Sequence, residues 1–131
     1  MIQYAYTILY VPDVEKTVSF YEQAFGFQRK FVTPEQDYGE LVSGETTIAF
    51  ASWELANANL KNGFTKSQPT AKPFGVELAF TTDQPKEVME QAVATGATVA
   101  EKIKTKPWRQ EVGYLRDING FLIEVCTPMQ N

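Results

Sequence analysis

The feature that most constrains the fold of this chain is a repeat in the order of its predicted elements. In the first half, runs of alternating β-branched and aromatic residues predict strands at 2–10, 27–33, 38–42 and 46–52. A helix is predicted between the first two strands, because apolar residues recur there at helical spacing. Its apolar positions are Val14, Val18, Tyr21 and Phe25. Asp13 is placed to cap this helix and Gly26 to end it.

The second half of the chain has the same order. Its strands are predicted at 76–82, 98–103, 109–116 and 121–126. Its helix has Pro85 in the first turn and ends at Gly96, and the predicted buried positions are Val88, Met89, Ala92 and Val93. A short helix at 53–60 and a polar linker at about 61–73 separate the halves. The repeat predicts a single domain, 1–131, with module 1 at about 1–60 and module 2 at about 74–131.

Two modules of the order strand–helix–strand–strand–strand predict an α+β fold. Each sheet has too few strands to bury both of its faces by itself. Two such sheets side by side, each covered on its back by one helix, leave a concave front, or cup, lined by alternate residues. That concave front must be covered by core side chains, a ligand or a second subunit.

Composition excludes several classes of function. The 131 residues include 12 basic and 16 acidic residues and no run of Lys or Arg, so no nucleic-acid partner is expected. No apolar run approaches the ~20 residues that span a bilayer, so no membrane partner is expected either. No signal peptide is recognised and there is a single cysteine, which predicts a cytoplasmic protein. Because histidine is absent altogether, a zinc site of the Cys/His type is ruled out.

Close to the C-terminus, one carboxylate contradicts its surroundings. Asn119-Gly120 predicts a tight hairpin, since a two-residue type I′ turn needs positive φ at both central positions. This hairpin joins the strands at 109–116 and 121–126. The last strand is almost wholly apolar, yet Glu124 lies in its middle. An ionisable group in a strand patterned for burial marks a candidate functional position.

Motifs at both ends of the chain occur in a distinctive order. The first set is Tyr6-Thr7-Ile8-Leu9-Tyr10-Val11-Pro12-Asp13, Ser19-Phe20-Tyr21-Glu22 and Phe25-Gly26-Phe27; the second is Lys106-Pro107-Trp108, Arg116-Asp117-Ile118-Asn119-Gly120 and Ile123-Glu124. This order resembles the vicinal oxygen chelate superfamily, which includes glyoxalase I, extradiol dioxygenases, fosfomycin-resistance enzymes and bleomycin-resistance proteins. The resemblance implies two βαβββ modules that form an incomplete barrel, a homodimer, and ligand sites in the cups.

The resemblance also implies where a metal would be held. Enzymes of this family bind a divalent metal on the first and last strands of each module, and the matching positions here are Tyr6, Ala49, Glu77 and Glu124. Glyoxalase I has His, Glu, His and Glu there, so only the last is kept. A phenol with a pKa of about 10 ionises reluctantly, and alanine cannot ligate. Two carboxylates without a nitrogen donor make a weak site even for Mg²⁺ or Mn²⁺, so we expect no metal and no other cofactor.

Each singled-out carboxylate has two interpretations. Glu124 is flanked on its own face by Leu122 and Cys126, so it is expected to face the cup and bind or deprotonate a ligand. The alternative is a structural carboxylate at an interface. If Glu77 faces the same cup, repulsion between like charges keeps one of the pair protonated. The pair would then be an acid and a base, or a relic site bridged by water.

The chain is rich in aromatic side chains, and together they suggest a cup that stacks planar or apolar ligands. The candidates are Trp53, Trp108, Tyr4, Tyr6, Tyr10, Tyr38 and Tyr114, each with a place in the core or a dimer contact as its alternative. Trp108 and Tyr6 are the best individual candidates. Cys126 is expected to be a small buried residue rather than a nucleophile. Arg109 and Arg116 are expected to be solvated charges at strand ends, with pairing to the carboxylates or contact with an anionic ligand as the alternative.

Three hypotheses of function follow. The leading one is a protein that binds a small organic molecule in an aromatic-lined cup without a transition metal, with a sequestration or resistance role. Its candidate ligand-binding residues are Tyr6, Ala49, Glu77, Trp108, Tyr114 and Glu124. The second is a lyase or isomerase that uses Glu124 and Glu77 as catalytic residues, with or without a hard cation. The third is a structural dimer whose cup is filled by its own side chains. Glyoxalase I or dioxygenase activity is not expected.

Overall fold

The computed structural model describes residues 1–129, which form two compact units. Unit 1 comprises Met1–Lys66, and unit 2 begins at Ser67. The elements of unit 1 are β1 (Thr7–Val11), α1 (Val14–Phe25), β2 (Gln28–Val32), β3 (Tyr38–Ser43), β4 (Thr46–Ser52) and α2 (Trp53–Asn59). Those of unit 2 are β5 (Glu77–Thr81), α3 (Pro85–Thr95), β6 (Thr98–Thr105), β7 (Glu111–Arg116) and β8 (Leu122–Cys126). The α+β fold of two βαβββ modules is confirmed.

Helix α1 begins and ends where its sequence predicts. The Asp13 carboxylate accepts a hydrogen bond from the backbone N–H of Lys16 at 2.9 Å, which satisfies a donor in the first turn. Gly26 follows the helix with φ +72°, a left-handed conformation that glycine adopts without strain. The face that packs on the sheet is buried at Val14, Thr17, Val18, Phe20, Tyr21 and Ala24.

The sheet of unit 1 has the order β1-β4-β3-β2. Strand β1 pairs with β4 in parallel, and the other pairings are antiparallel. On one face the ring of Phe50 stacks on Tyr21 of α1, with ring centroids 5.3 Å apart. Because side chains alternate along a strand, Ala49 and its partner Glu40 point to the opposite face. We call the sheet face turned away from α1 or α3 the distal face.

Unit 2 repeats this arrangement in its sheet order, β5-β8-β7-β6, with β5 and β8 parallel. Its core lies between α3 and the sheet, where Leu115, Ile123 and Val125 are fully buried. Register pairs Glu124 with Ala79 on one side and Tyr114 on the other, so these residues share the distal face. Both sheets have two edge strands and are therefore open.

Several predicted boundaries differ from the structure. The first strand begins at Thr7 rather than at residue 2, because β4 starts only at Thr46 and offers little pairing before the Thr7–Ile48 register. Val93, a predicted buried position of α3, is 43 % exposed. The helix packs on the sheet through Pro85 and through Met89 and Ala92, two of the predicted positions. No helix within residues 1–129 is long and apolar enough to cross a membrane.

The hairpin between β7 and β8 is not the predicted two-residue turn. Gly120 has φ +92°, but Asn119 keeps a negative φ, so the type I′ expectation is wrong. The turn is built on Asp117 instead, whose carboxylate accepts from the N–H groups of Asn119 at 2.8 Å and Phe121 at 2.9 Å. The Gly120 N–H adds a bond to the Asp117 carbonyl at 3.1 Å. The Asp117 side chain thus accepts hydrogen bonds from two backbone N–H groups of the turn.

Arg116 anchors the chain before β5 to this turn, so the prediction of a solvated strand-end charge is wrong. Its guanidinium donates to the carbonyls of Gly120 at 2.7 Å, Gln68 at 3.1 Å and Ala71 at 2.8 Å. Ser67 adds a hydroxyl bond to the Asn119 carbonyl at 2.9 Å. These bonds satisfy carbonyls in a segment that has no strand partner.

The contact between the turn and residues 68–69 predicts a large cost for Gly120→Ala. A Cβ there would lie 2.5 Å from the carbonyl atoms of Gln68 and would also meet a positive φ. Gly44 has φ +58° but open space around the same position, so Gly44→Ala is a matched control for the backbone strain alone. We expect a loss of about 1–2 kcal/mol for Gly44→Ala and a further ~1–3 kcal/mol for Gly120→Ala. Urea unfolding measures both, and equal losses would contradict the steric prediction.

Candidate functional site

Glu124 lies at the centre of a polar group on the distal face of unit 2. Register places it beside Tyr114, and the Tyr114 hydroxyl donates to Glu124 Oε1 at 3.0 Å. Both residues are half-buried. The apolar neighbours Ile123 and Val125 point the other way, towards α3, and hold the strand in this register. The carboxylate in an apolar strand is therefore explained by the alternation of a two-faced sheet.

Glu77, the first residue of β5, brings a second carboxyl group to Glu124. It pairs with Leu122, two residues before Glu124, so both carboxyl groups lie on one face within hydrogen-bonding reach. Partial burial, the hydrogen bond to Glu124 and repulsion from its charge raise the pKa of Glu77. Because the Glu77 residue as a whole is exposed, we give the interaction with Glu124 more weight than burial.

The pKa of Glu124 moves the opposite way. Burial acts to raise this pKa, but hydrogen bonds from Cys126, Glu77 and Tyr114 outweigh it and lower the pKa, helped by the positive charge of Lys106. A proton shared by the pair therefore resides on Glu77, and the negative charge resides on Glu124. The opposite directions of the two pKa shifts are those expected when two neighbouring carboxyl groups repel each other.

Two further groups next to Glu124 stay protonated at neutral pH. Burial, together with the Glu124 carboxylate, raises the pKa of Tyr114 to about 12 and that of Cys126 to about 11. The Cys126 thiol is buried and lies 3.7 Å from the Phe80 carbonyl oxygen as well. The Tyr114 hydroxyl thus donates to the carboxylate, and the Cys126 thiol lacks the lowered pKa of a nucleophile.

Unit 1 carries a related polar group that the sequence analysis missed. Glu40, only 8 % exposed, is the register partner of Ala49 on the distal face. Its Oε2 accepts from the Tyr38 hydroxyl at 2.7 Å, and its Oε1 lies 3.5 Å from Lys30 Nζ. Burial and hydrogen bonding to Glu40 and Tyr6 raise the pKa of Tyr38. The two-residue spacing of Tyr38 and Glu40 in a strand was the available signal.

The remaining predicted site residues are Tyr6, Ala49 and Trp108. Tyr6 and Ala49 belong to unit 1, where Tyr6 is close to Tyr38. Trp108 is 55 % exposed and donates its indole N–H to Gln110 Oε1 at 2.8 Å. Glu77, Tyr114 and Glu124 are the members of the predicted ligand-binding set that one unit brings together.

The residues present do not fit the divalent metal that the family resemblance implies. Within residues 1–129 no group of three or more His, Cys, Asp or Glu side chains is arranged to hold a metal ion. Glu124 already accepts hydrogen bonds from its neighbours, and the raised pKa of Glu77 disfavours the charged form that a cation would need. Ala49 supplies no donor atom.

Comparison with known proteins agrees with the architecture. The profile of the Glyoxalase/Bleomycin resistance protein/Dioxygenase superfamily matches residues 3–125. A search of curated proteins finds no match. Among solved structures, hypothetical protein SA1046 from S. aureus superposes with TM-score 0.82 at 18% identity, covering 98% of this chain and 95% of the other.

Two other solved structures share the fold at low identity. A glyoxalase-related enzyme from Fulvimarina pelagi has TM-score 0.79 at 21% identity, covering 98% of this chain and 89% of its own. The fosfomycin resistance protein FosX from Mesorhizobium loti has TM-score 0.68 at 14% identity, covering 98% and 94%. With the profile match over nearly all its length, this chain belongs to the glyoxalase/bleomycin resistance protein/dioxygenase superfamily.

Proposed function

We propose that the protein binds a small organic molecule at the Glu124 group of the distal face, without a transition metal, in a sequestration or resistance role. The observation that carries this proposal is the charged, half-buried Glu124 held by Tyr114, Glu77 and Cys126. A carboxylate held in place by a tyrosine hydroxyl is a preorganised acceptor for a ligand hydroxyl, amide or amine at its remaining lone pairs.

Aromatic side chains support an apolar or planar body for this ligand. Tyr114 offers an aromatic face beside Glu124 in unit 2. Exposed aromatic rings next to a fixed polar group are typical of small-molecule sites. Tyr6, Ala49 and Trp108 remain part of the proposed ligand-binding set.

We predict that Glu124→Gln weakens binding of the ligand roughly 10- to 100-fold, because a hydrogen bond to a charged group is worth about 1.5–3 kcal/mol. Thermal-shift screening of small aromatic compounds with hydroxyl, amide or amine donors would find ligands by the rise in Tm. Hits would then be titrated into the wild type and the variant by calorimetry.

The matched control for this test is Glu87→Gln, which removes the same charge from an exposed position on α3. It should leave both the affinity and the ligand-induced rise in Tm unchanged. Equal affinity in wild type and Glu124→Gln would overturn the assignment of the site to Glu124.

A second candidate function is general acid–base catalysis by Glu77 and Glu124, of the lyase or isomerase type. The observation that favours it is the opposite displacement of the two pKa values, since Glu77 binds a proton more tightly than usual while its neighbour Glu124 is the more readily ionised group. Glu124 would take a proton from a bound substrate, and Glu77 would return one to it.

The opposite shifts predict a specific pH dependence. Glu77 holds its proton more tightly when folded, so its stabilising contribution is complete below the usual pKa of 4.5 and is lost as the pH rises through its raised pKa. The contribution of Glu124 is present above 4.5 and is lost as the pH falls through its lowered pKa. Carboxyl-carbon NMR should therefore show two separate titration steps, one on each side of 4.5.

Two variants assign each titration step to one of the two glutamates. Glu124→Gln should remove the lower step and bring the pKa of Glu77 part of the way back, because partial burial remains. In Glu77→Gln, urea unfolding should no longer show the loss of stability above the usual pKa. A single step at the usual pKa of glutamate in the wild type would contradict the acid–base pair.

We further propose that the protein is a cytoplasmic homodimer, as the family resemblance implies. The support within this chain is a run of exposed apolar side chains at and before the edge strand β1: Met1, Ile2, Tyr4, Tyr6 and Ile8. Sedimentation velocity should give twice the mass of one chain, and Ile8→Lys should shift the equilibrium towards the monomer. A wild-type monomer at all concentrations would contradict this.

A further inference from the structure

A groove of about 720 Å³ lies between α3 and strand β6 of unit 2, on the side of the sheet opposite Glu124. Its lining consists of Lys86, Met89, Glu90, Val93, Val99, Lys102, Ile103 and Glu111. Val93 and Val99 are 43 % and 50 % exposed, although both are apolar. The groove therefore presents an unusual amount of uncovered apolar surface beside the helix.

The internal repeat identifies the matching surface of unit 1. Arg29 of β2 pairs with the fully buried Leu41, and Val99 of β6 pairs with the fully buried Leu115, so Arg29 and Val99 are equivalent. The helices align in the same way through their buried positions, which have the same spacing in α1 (Val14, Val18, Tyr21) and α3 (Pro85, Met89, Ala92).

The same alignment shows which residues of unit 1 occupy the positions that line the groove in unit 2. In unit 1 these positions form an ion-pair network. Glu15 is equivalent to Lys86, and Glu22 is equivalent to Val93. In unit 1 the Arg29 guanidinium donates to Glu15 at 2.6 Å and to Glu22 at 2.9 Å, which ties the edge strand to α1. Two valines cannot form this bridge, so the same place in unit 2 is open.

At the floor of the groove, Gly113 lets two apolar side chains pack close to the strand backbone. A Cβ on Gly113 would lie 2.5 Å from Met89 Sδ and 2.9 Å from Ile103 Cγ1, so these two side chains pack directly on the strand backbone. Met89 is buried at the base, where its thioether can adapt to the shape of an apolar partner. The floor is thus apolar and the rim is charged.

Size and charge point to a small molecule rather than a protein as the occupant. The volume falls within the ~300–1,000 Å³ of ligand pockets, whereas stable protein interfaces use about 20–30 residues on each side and eight line this groove. Two lysines and two glutamates on the rim balance each other, so the groove does not select strongly for an anion or a cation. We propose that it is a second ligand site, which takes an uncharged apolar small molecule.

Methionine-methyl NMR on the full chain tests this proposal with octan-1-ol as the probe. The chain has three methionines, and Met89 alone lines the groove, so Met1 and Met129 are internal controls. We expect a saturable shift of the Met89 methyl signal. The double substitution Val93→Glu and Val99→Arg, which copies the unit 1 bridge, should weaken this binding more than tenfold.

Two controls separate loss of the groove from other effects. Gln91→Arg with Ala94→Glu adds the same two charges to exposed positions of α3 outside the groove and should leave octanol binding unchanged. Val93→Thr with Val99→Thr keeps the shape of both side chains and should weaken binding several-fold, which guards against misfolding of the charged variant.

Three results would overturn the second ligand site. One is a Met89 signal that octan-1-ol does not shift, or shifts without saturation. Another is unchanged binding in the variant with Val93→Glu and Val99→Arg. The third is a Met89 signal that moves with protein concentration before any alcohol is added, because a second copy of the chain would then cover the groove. None of these results depends on binding at Glu124.

Discussion

The parallel pairing of the first and last strands in each unit is the constraint on which the candidate site depends. In unit 2 it sets Glu77 two residues away from Glu124 on one face of the sheet, close enough for the carboxyl groups to share a proton. A slip of one residue would turn one of these strands over and bury its carboxylate under α3. The packing of Ile123 and Val125 against the helix side therefore also fixes the electrostatics of the opposite face.

Both copies of the internal repeat have the same strand order, but different residues occupy the two faces of their sheets. On the helix side, unit 1 closes the gap beside α1 with the bonds from Arg29 to Glu15 and Glu22, whereas unit 2 leaves Val93 and Val99 uncovered. Charged groups on a partly exposed surface add only modest stability, so their replacement costs the fold little. The helix side could therefore change without disturbing the strand register.

Periodicity and capping residues predicted the elements of the fold, because these signals are local. Asp13 and Gly26 bound α1 as expected, and the position of Glu124 on a two-faced strand followed from alternation. Contacts made by distant residues could not be predicted in this way. The bonds from Arg116 to the chain near Gln68 span 48 positions of sequence, and nothing near either residue signals them. The exposure of Val93 likewise depends on a distant residue, because Val99 of β6 lines the same groove.

Glu40 shows why the loss of a ligand at Ala49 is not repaired by its neighbour. The carboxylate lies directly across the strand pair, so it could in principle reach the same space. One of its oxygens is occupied by the Tyr38 hydroxyl, however, and the other lies 3.5 Å from the Lys30 amino group, whose charge repels any cation. The carboxylate is therefore paired with groups of its own unit where it lies. On both sheets the carboxylates of the distal face are therefore held by hydrogen bonds from neighbouring tyrosine hydroxyls.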